Sequence, residues 1–209
     1  NKSKLLYGYH LAKEKIYKTK EIIVCEGYLD VIMLHQAGFN NAVATLGTAL
    51  TKDHLPLLRR GEPRVILSYD GDKAGQNAAF KASVMLSQNG FDGGVVIFEN
   101  GVDPADMVKD RKIEELEELF SNPTPFANFS ISYIVSSYNI SNPVEKQKAL
   151  SEANEYLSSL SQLYQEEYKR FLAQKLNIKE SLIKTSNKKK KKNSVELSKV
   201  DIAELCIIK

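Results

Sequence analysis

Between residues 21 and 120, short β-branched runs alternate with segments of helical length, and this pattern constrains the fold more than anything else in the chain. EIIVC (21–25), NAVATL (41–46), RVILSY (64–69) and GVVIF (94–98) are near-continuous apolar runs. A strand wetted on one face alternates apolar with polar residues, whereas unbroken runs suit strands covered on both faces of a parallel sheet. Residues 29–37, 52–60 and 73–89 lie between the runs and are long enough for helices. The third is the clearest, with Ala78, Ala82, Met85 and Leu86 on one face, and its alanines let a helix lie close to a sheet. Strands and helices in this order imply an α/β fold, a compact parallel sheet flanked by helices and joined by right-handed crossovers.

The pattern changes at Asn122-Pro123-Thr124-Pro125, where two prolines punctuate the chain. Phe126, Phe129, Tyr133, Ile134 and Tyr138 then follow at helical spacing. Leu150, Ala153, Leu157 and Leu160 form a second such set, and Tyr164, Tyr168, Phe171 and Leu172 a third. With no strand-like run among them, these residues predict a small all-α subdomain. The expected organisation is an α/β domain with a leading helix at 1–120 and the helical subdomain at 121–184. A lysine-rich solvated linker at 185–199 and the start of a further domain at 200–209 complete it. The chain starts with Asn rather than Met and stops just after Leu205-Cys206-Ile207-Ile208, so both ends read as cut from a longer protein.

Charge and cysteine content narrow the function classes. The net charge is +3, but five positive charges sit at residues 188–192, leaving the remainder with a net of two negative charges. Bulk charge therefore does not argue for a polyanion partner. Cys25 and Cys206 are far apart and lack companions at ligand spacing, which argues against zinc and for residence in the cytoplasm. No apolar run approaches the ~18 residues of a membrane span. Lys2, Lys4, Lys13 and Lys15 interrupt the N-terminal segment, so no signal peptide is expected and no membrane partner is implied.

Functional groups of open α/β sheets collect at the carboxyl ends of the strands, and three of the four runs here end in acids. The first ends in Glu26-Gly27 and the third in Asp70-Gly71-Asp72, and the fourth is followed by Asp103-Pro104-Ala105-Asp106. Asp70 and Asp72 can turn toward one point across a glycine, and Glu26 approaches from another strand. Crowded carboxylates repel, and a divalent cation is the usual compensation; hard oxygen donors select Mg²⁺ or Mn²⁺. Two such ions typically sit ~3.5–4 Å apart. The competing account is that each acid only caps a helix, since Asp is a favoured cap and helix N-termini favour negative charge. Gly47-Thr48, ahead of a helical segment, suits either phosphate binding through backbone N–H groups or a simple turn. Tyr28 reads as packing rather than as a nucleophile. His10, His35 and His54 read as structural or exposed, and Cys25 as core.

Glu26-Gly27 and Asp70-Gly71-Asp72, each ending a strand, resemble the signature of the Toprim domain shared by primases, type IA and type II topoisomerases and some nucleases. Longer strings narrow the resemblance to the bacterial DnaG-type primases. They are LYG (6–8), EGYLD (26–30), TLGTALT (45–51), SYDGDKAGQNAA (68–79) and GVDPADMV (101–108). The resemblance covers residues 2–108, with a looser helical match to 184, and implies a Toprim-type fold. It implies catalytic and metal-binding roles for Glu26, Asp70 and Asp72, with Asp103 as an auxiliary metal ligand and Asp30 and Asp106 as secondary acids. Lys2 would face template or nucleotide, although a terminal lysine without a role fits as well. Two departures stand out. The family usually reads Asp-Pro-Asp where this chain has Asp103-Pro104-Ala105, and Lys81 stands where arginine is common, which loses the guanidinium fork.

The resemblance further implies synthesis of short RNA primers by metal-dependent nucleotidyl transfer, with two or more Mg²⁺ or Mn²⁺ ions. Single-stranded DNA template and ribonucleoside triphosphates would be its partners. The replicative helicase would bind through a domain following the lysine run, with residues 200–208 as its first helix. A phosphodiester-cleaving Toprim enzyme and a metal-stabilised protein-binding module are the alternatives.

Overall fold

The computed structural model describes residues 4–45, 49–98 and 102–184. Lys2, Gly47, Thr48, the lysine run and residues 200–209 lie outside the described residues. Four parallel strands follow the four apolar runs: β1 (Glu21–Cys25), β2 (Ala42–Ala44), β3 (Arg64–Ser68) and β4 (Gly93–Val96). The run at 41–46 predicts six residues of strand and β2 keeps three. A fifth strand, β5 (Thr124–Pro125), pairs antiparallel with β4, giving the order β2-β1-β3-β4-β5. No periodicity foretells β5, because two residues are too few to show one, and proline is tolerated there because the strand lies on the sheet edge.

Residues along β1 alternate between two cores, and this alternation makes the sheet doubly covered. Ile22 and Val24 join Val65 and Leu67 of β3 on one face, under α1 (Tyr9–Thr19), the short α3 (Leu55–Leu58) and α4 (Lys73–Gln88). Ile23, Cys25 and Ile66 face the other way, under α2 (Tyr28–Gln36), α5 (Pro104–Lys109) and α6 (Ile113–Ser121). Each central strand thus buries both faces, as the unbroken apolar runs require.

The segment at 52–60, read as one helix, is a 3-10 turn at Lys52–His54 that runs into α3. On α4 the buried stripe is Gly75, Ala79, Ala82 and Leu86, with Ala78 and Met85 only partly covered. Three helices follow: α7 (Phe126–Ser136), α8 (Pro143–Ser159) and α9 (Gln162–Leu176). Ile131, Ile134, Ala153, Leu157, Leu172 and Leu176 form their common core. Of the third apolar set, Tyr164 is left 39 % exposed. No helix among the described residues is long and apolar enough to cross a membrane.

Candidate active site

Strand order sets the position of the acids. The chain leaves β1 for β2 on one side and returns to β3 on the other, so the order reverses between β1 and β3, where open α/β sheets form their crevice. Cys25 is in register with Ser68. Glu26 and Tyr69-Asp70 therefore emerge from adjacent strand ends, and the Asp70 backbone N–H donates to the Glu26 carboxylate.

Each remaining acid is fixed by a helix start. Asp72 is the N-cap of α4 and accepts the Gly75 N–H at 2.7 Å. Asp103 is the N-cap of α5 and accepts the Asp106 N–H at 2.6 Å. Asp30, in the first turn of α2, accepts the Gly27 N–H at 3.1 Å, and the Ala105 backbone amide acts to lower its pKa. Asp72 and Asp103 thus cap helices, as their sequence context also allowed. A carboxylate has two oxygens and several lone pairs, so capping leaves room for a second partner.

The acids feel one another. Burial raises the Glu26 pKa first, and the charges of Asp70, Asp72 and Asp30 add to it. Burial likewise raises Asp70, with further repulsion from Asp103, Asp72 and Asp106. Asp30 is pushed up to about 6, by burial first and then by Asp103 and Asp70. Glu26, Asp30, Asp70, Asp72, Asp103 and Asp106 therefore share one electrostatic neighbourhood at the carboxyl edge of the sheet. Among the described residues, no three His, Cys, Asp or Glu side chains are gathered into a ready-made metal cage. The donor set is nevertheless all oxygen, and Glu26 Oε1 is buried without a hydrogen-bond partner among the described residues. Both features fit a hard divalent cation better than a soft one.

Two residues of this edge escape a search for charged groups. The Tyr69 hydroxyl is also buried without a partner among the described residues, and burial and the Glu26 charge hold its pKa well above the usual phenol range. Gly75 lets α4 start hard against the strand end: a Cβ there would stand 2.3 Å from the Asp70 carbonyl oxygen. Its only sequence signal is a glycine in the first turn of a helix. Tyr28, read as packing, is 52 % exposed. His35 bonds the Ala42 carbonyl, His54 is buried with Nδ1 on Thr51, and His10 is exposed. Cys25 is fully buried and Lys81 is exposed.

This fold, with acids at the β1 and β3 ends, is that of the Toprim-like class, whose family description matches residues 23–108. Residues 127–181 match the DnaB-helicase binding domain of primase. That match covers α7 to α9, ahead of the lysine run, and the domain expected from residue 200 onward lies outside the described residues. The DNA primase of Helicobacter pylori is 58% identical over 173 residues, which is 83% of this chain and 31% of that protein. That of Campylobacter jejuni is 40% identical over 218 residues, covering 100% of this chain and 36% of the relative. Among solved structures, the DnaG primase catalytic domain bound to ssDNA has a TM-score of 0.76 at 30% identity. The match covers 87% of this chain and 59% of that one. The E. coli primase catalytic core has a TM-score of 0.74 at 30% identity, covering 86% and 58%. The chain belongs to the DnaG-type bacterial DNA primases. It spans about a third of the length of the curated relatives it matches.

Proposed function

We propose that this chain carries the catalytic centre of a DNA primase, which makes short RNA primers on single-stranded DNA by nucleotidyl transfer from ribonucleoside triphosphates. The observation that carries the reading is Glu26 Oε1, a buried carboxylate oxygen beside Asp70 without a hydrogen-bond partner among the described residues. A buried anionic oxygen left unpaired costs free energy that a cation offsets. Glu26, Asp70 and Asp72 would hold the ions, two or more Mg²⁺ or Mn²⁺, with Asp103 as a further ligand. A bound divalent ion supplies phosphate neutralisation and a lowered pKa for the attacking 3′-hydroxyl.

The chain's own groups orient this site. Asp30 closes the start of α2 through the Gly27 amide, within electrostatic reach of Ala105 and Asp103 at the start of α5. Asp72 locks the first turn of α4 through Gly75. Asp106 supports the cluster from the exposed rim. We assign helicase contact to α7, α8 and α9 on the strength of the family match there. Residence in the cytoplasm follows from a role in replication. Lys2 remains a candidate for nucleotide or template contact by resemblance, and Gly47 and Thr48 for phosphate contact through their backbone N–H groups.

Mn²⁺ titration by calorimetry beside thermal unfolding tests the metal site. Asp70→Asn and Asp72→Asn should lose Mn²⁺ binding while the fold stays intact, because Asn keeps the size and nearly the capping strength of Asp. Unaltered Mn²⁺ affinity in both variants would sink the metal site. Nicking of supercoiled DNA by the full-length protein, without primer synthesis, would favour a cleaving Toprim enzyme instead.

A further inference from the structure

We infer that Tyr7 and Tyr28 form an aromatic subsite that stacks the base of the incoming nucleoside triphosphate, beside the acids that direct its phosphates. The inference rests on the nucleotidyl-transfer reading above and adds a specific pair of residues to it. Tyr28 begins α2, two residues past Glu26, so its Cα lies at most about 7 Å from that of Glu26. Tyr7 reaches the same edge from the far end of the chain. Its backbone forms an isolated bridge to Ala44, the last residue of β2, with Tyr7 N–H donating to the Ala44 carbonyl at 2.8 Å. The Ala44 N–H returns a bond to the Tyr7 carbonyl at 3.2 Å.

The neighbours of Tyr7 keep it there. Leu6 is buried, and Gly8 turns into α1 with φ +76°, where a Cβ would press on Val31 of α2. The LYG string therefore holds a tyrosine rigidly at the carboxyl edge of the sheet. The two rings meet edge to face, with centroids 6.2 Å apart at 68°. Both remain open to solvent, Tyr7 at 37 % and Tyr28 at 52 %. A tyrosine serving only the core is covered, as Tyr156 is at 6 %.

An exposed ring on a rigid mount is what base stacking needs, and every base offers a π-face to it. The acids next door suit the other end of the same ligand, through a cation that the phosphates share. A single nucleoside triphosphate then spans both, with its base on the tyrosines and its phosphates toward Glu26 and Asp70. Stacking contributes base affinity but nothing to phosphate affinity, and the two are separable by ligand.

The test uses residues 1–209 with Mn²⁺ and two probes in calorimetry: a non-hydrolysable ATP analogue and inorganic tripolyphosphate, which has no base. Tyr28→Ala should weaken the ATP analogue about 5- to 150-fold. It should leave tripolyphosphate unchanged, and Tyr28→Phe should bind both like wild type. Tyr7→Ala should act in the same direction, with thermal unfolding confirming that each variant is folded. Equal losses for both probes, or no loss for either, would overturn the stacking subsite while leaving the metal reading intact. Failure of wild type to bind tripolyphosphate with Mn²⁺ would overturn both. A Tyr28→Ala variant that loses only single-stranded oligonucleotide binding would replace the nucleotide with the template strand.

Discussion

Asp30 closes the start of α2 and is held in an unfavourable state for doing so. It is 7 % exposed, and burial outweighs its amide partners, raising its pKa to about 6. In the unfolded chain an aspartate titrates near ~3.9. Between those values the folded protein binds a proton that the unfolded chain does not, so folding is favoured at the acid end. That contribution is lost as pH rises through about 6, and amounts to on the order of 2–3 kcal/mol. With metal chelated, stability should therefore fall between about pH 4 and about pH 6, and Asp30→Asn should flatten that fall. Denaturant unfolding across the range checks it, and an identical slope in the variant would assign the pH dependence elsewhere. At this scale the sequence was readable for what ionises. Glu26, Asp70 and Asp103 announce themselves as acids after apolar runs, but nothing in the letters distinguishes a cap from a ligand. Asp72 and Asp103 turn out to cap helices. Tyr69 and Gly75 were silent because their importance lies in what stands beside them.

Among the elements, α4 shows why a helix can be found from its sequence and yet be placed slightly wrong. Its span was legible in the apolar spacing, and Lys73–Gln88 differs from the expected segment by one residue at the end. Its rotation was not, because the expected face ran through Ala78 and Met85, whereas the stripe that is buried passes through Gly75 and Ala79. Ala82 and Leu86 of the expected face are buried, and the stripe extends through Gly75, where α4 packs against the Asp70 backbone. Gly75→Ala puts a Cβ 2.3 Å from a carbonyl oxygen that cannot swing aside. Alanine is the better helix former by about 1 kcal/mol, yet overpacking of this kind costs about 1–3 kcal/mol. The variant should thus be no more stable than wild type, and it should bind Mn²⁺ more weakly because Asp70 must move. A gain in urea midpoint together with unchanged Mn²⁺ affinity would show that α4 is not seated in this way. The strand β5 was out of reach for a different reason, since a two-residue strand has no period to detect.

The whole molecule is more continuous than its composition suggests. The break at residues 122–125 marks a change of secondary structure, but α7 serves two cores at once. Phe126 and Phe129 complete the core above the sheet, while Ala127, Ile131, Ile134 and Val135 pack with α8 and α9. Ser87 and Tyr156 share a buried 2.9 Å hydrogen bond that ties α4 to α8. Charge is distributed quite differently from packing. Five of the positive charges lie at residues 188–192, and the remainder of the chain carries a small negative excess. Affinity for single-stranded DNA falls with salt at a slope of about −0.7 per neutralised phosphate. If the five lysines provide the phosphate contacts of residues 1–209, changing all five to Gln should reduce the slope by up to about 3.5. The same near-neutral body predicts weak template retention, so residues 1–209 alone should make primers poorly even with Mn²⁺ bound. Fluorescence anisotropy with a labelled single strand over a salt series measures the first expectation, and a primer-synthesis assay the second. A slope that survives loss of the lysines, with robust primer synthesis, would place the template contacts on the body. The acid edge would then need cationic neighbours that the charge balance does not reveal.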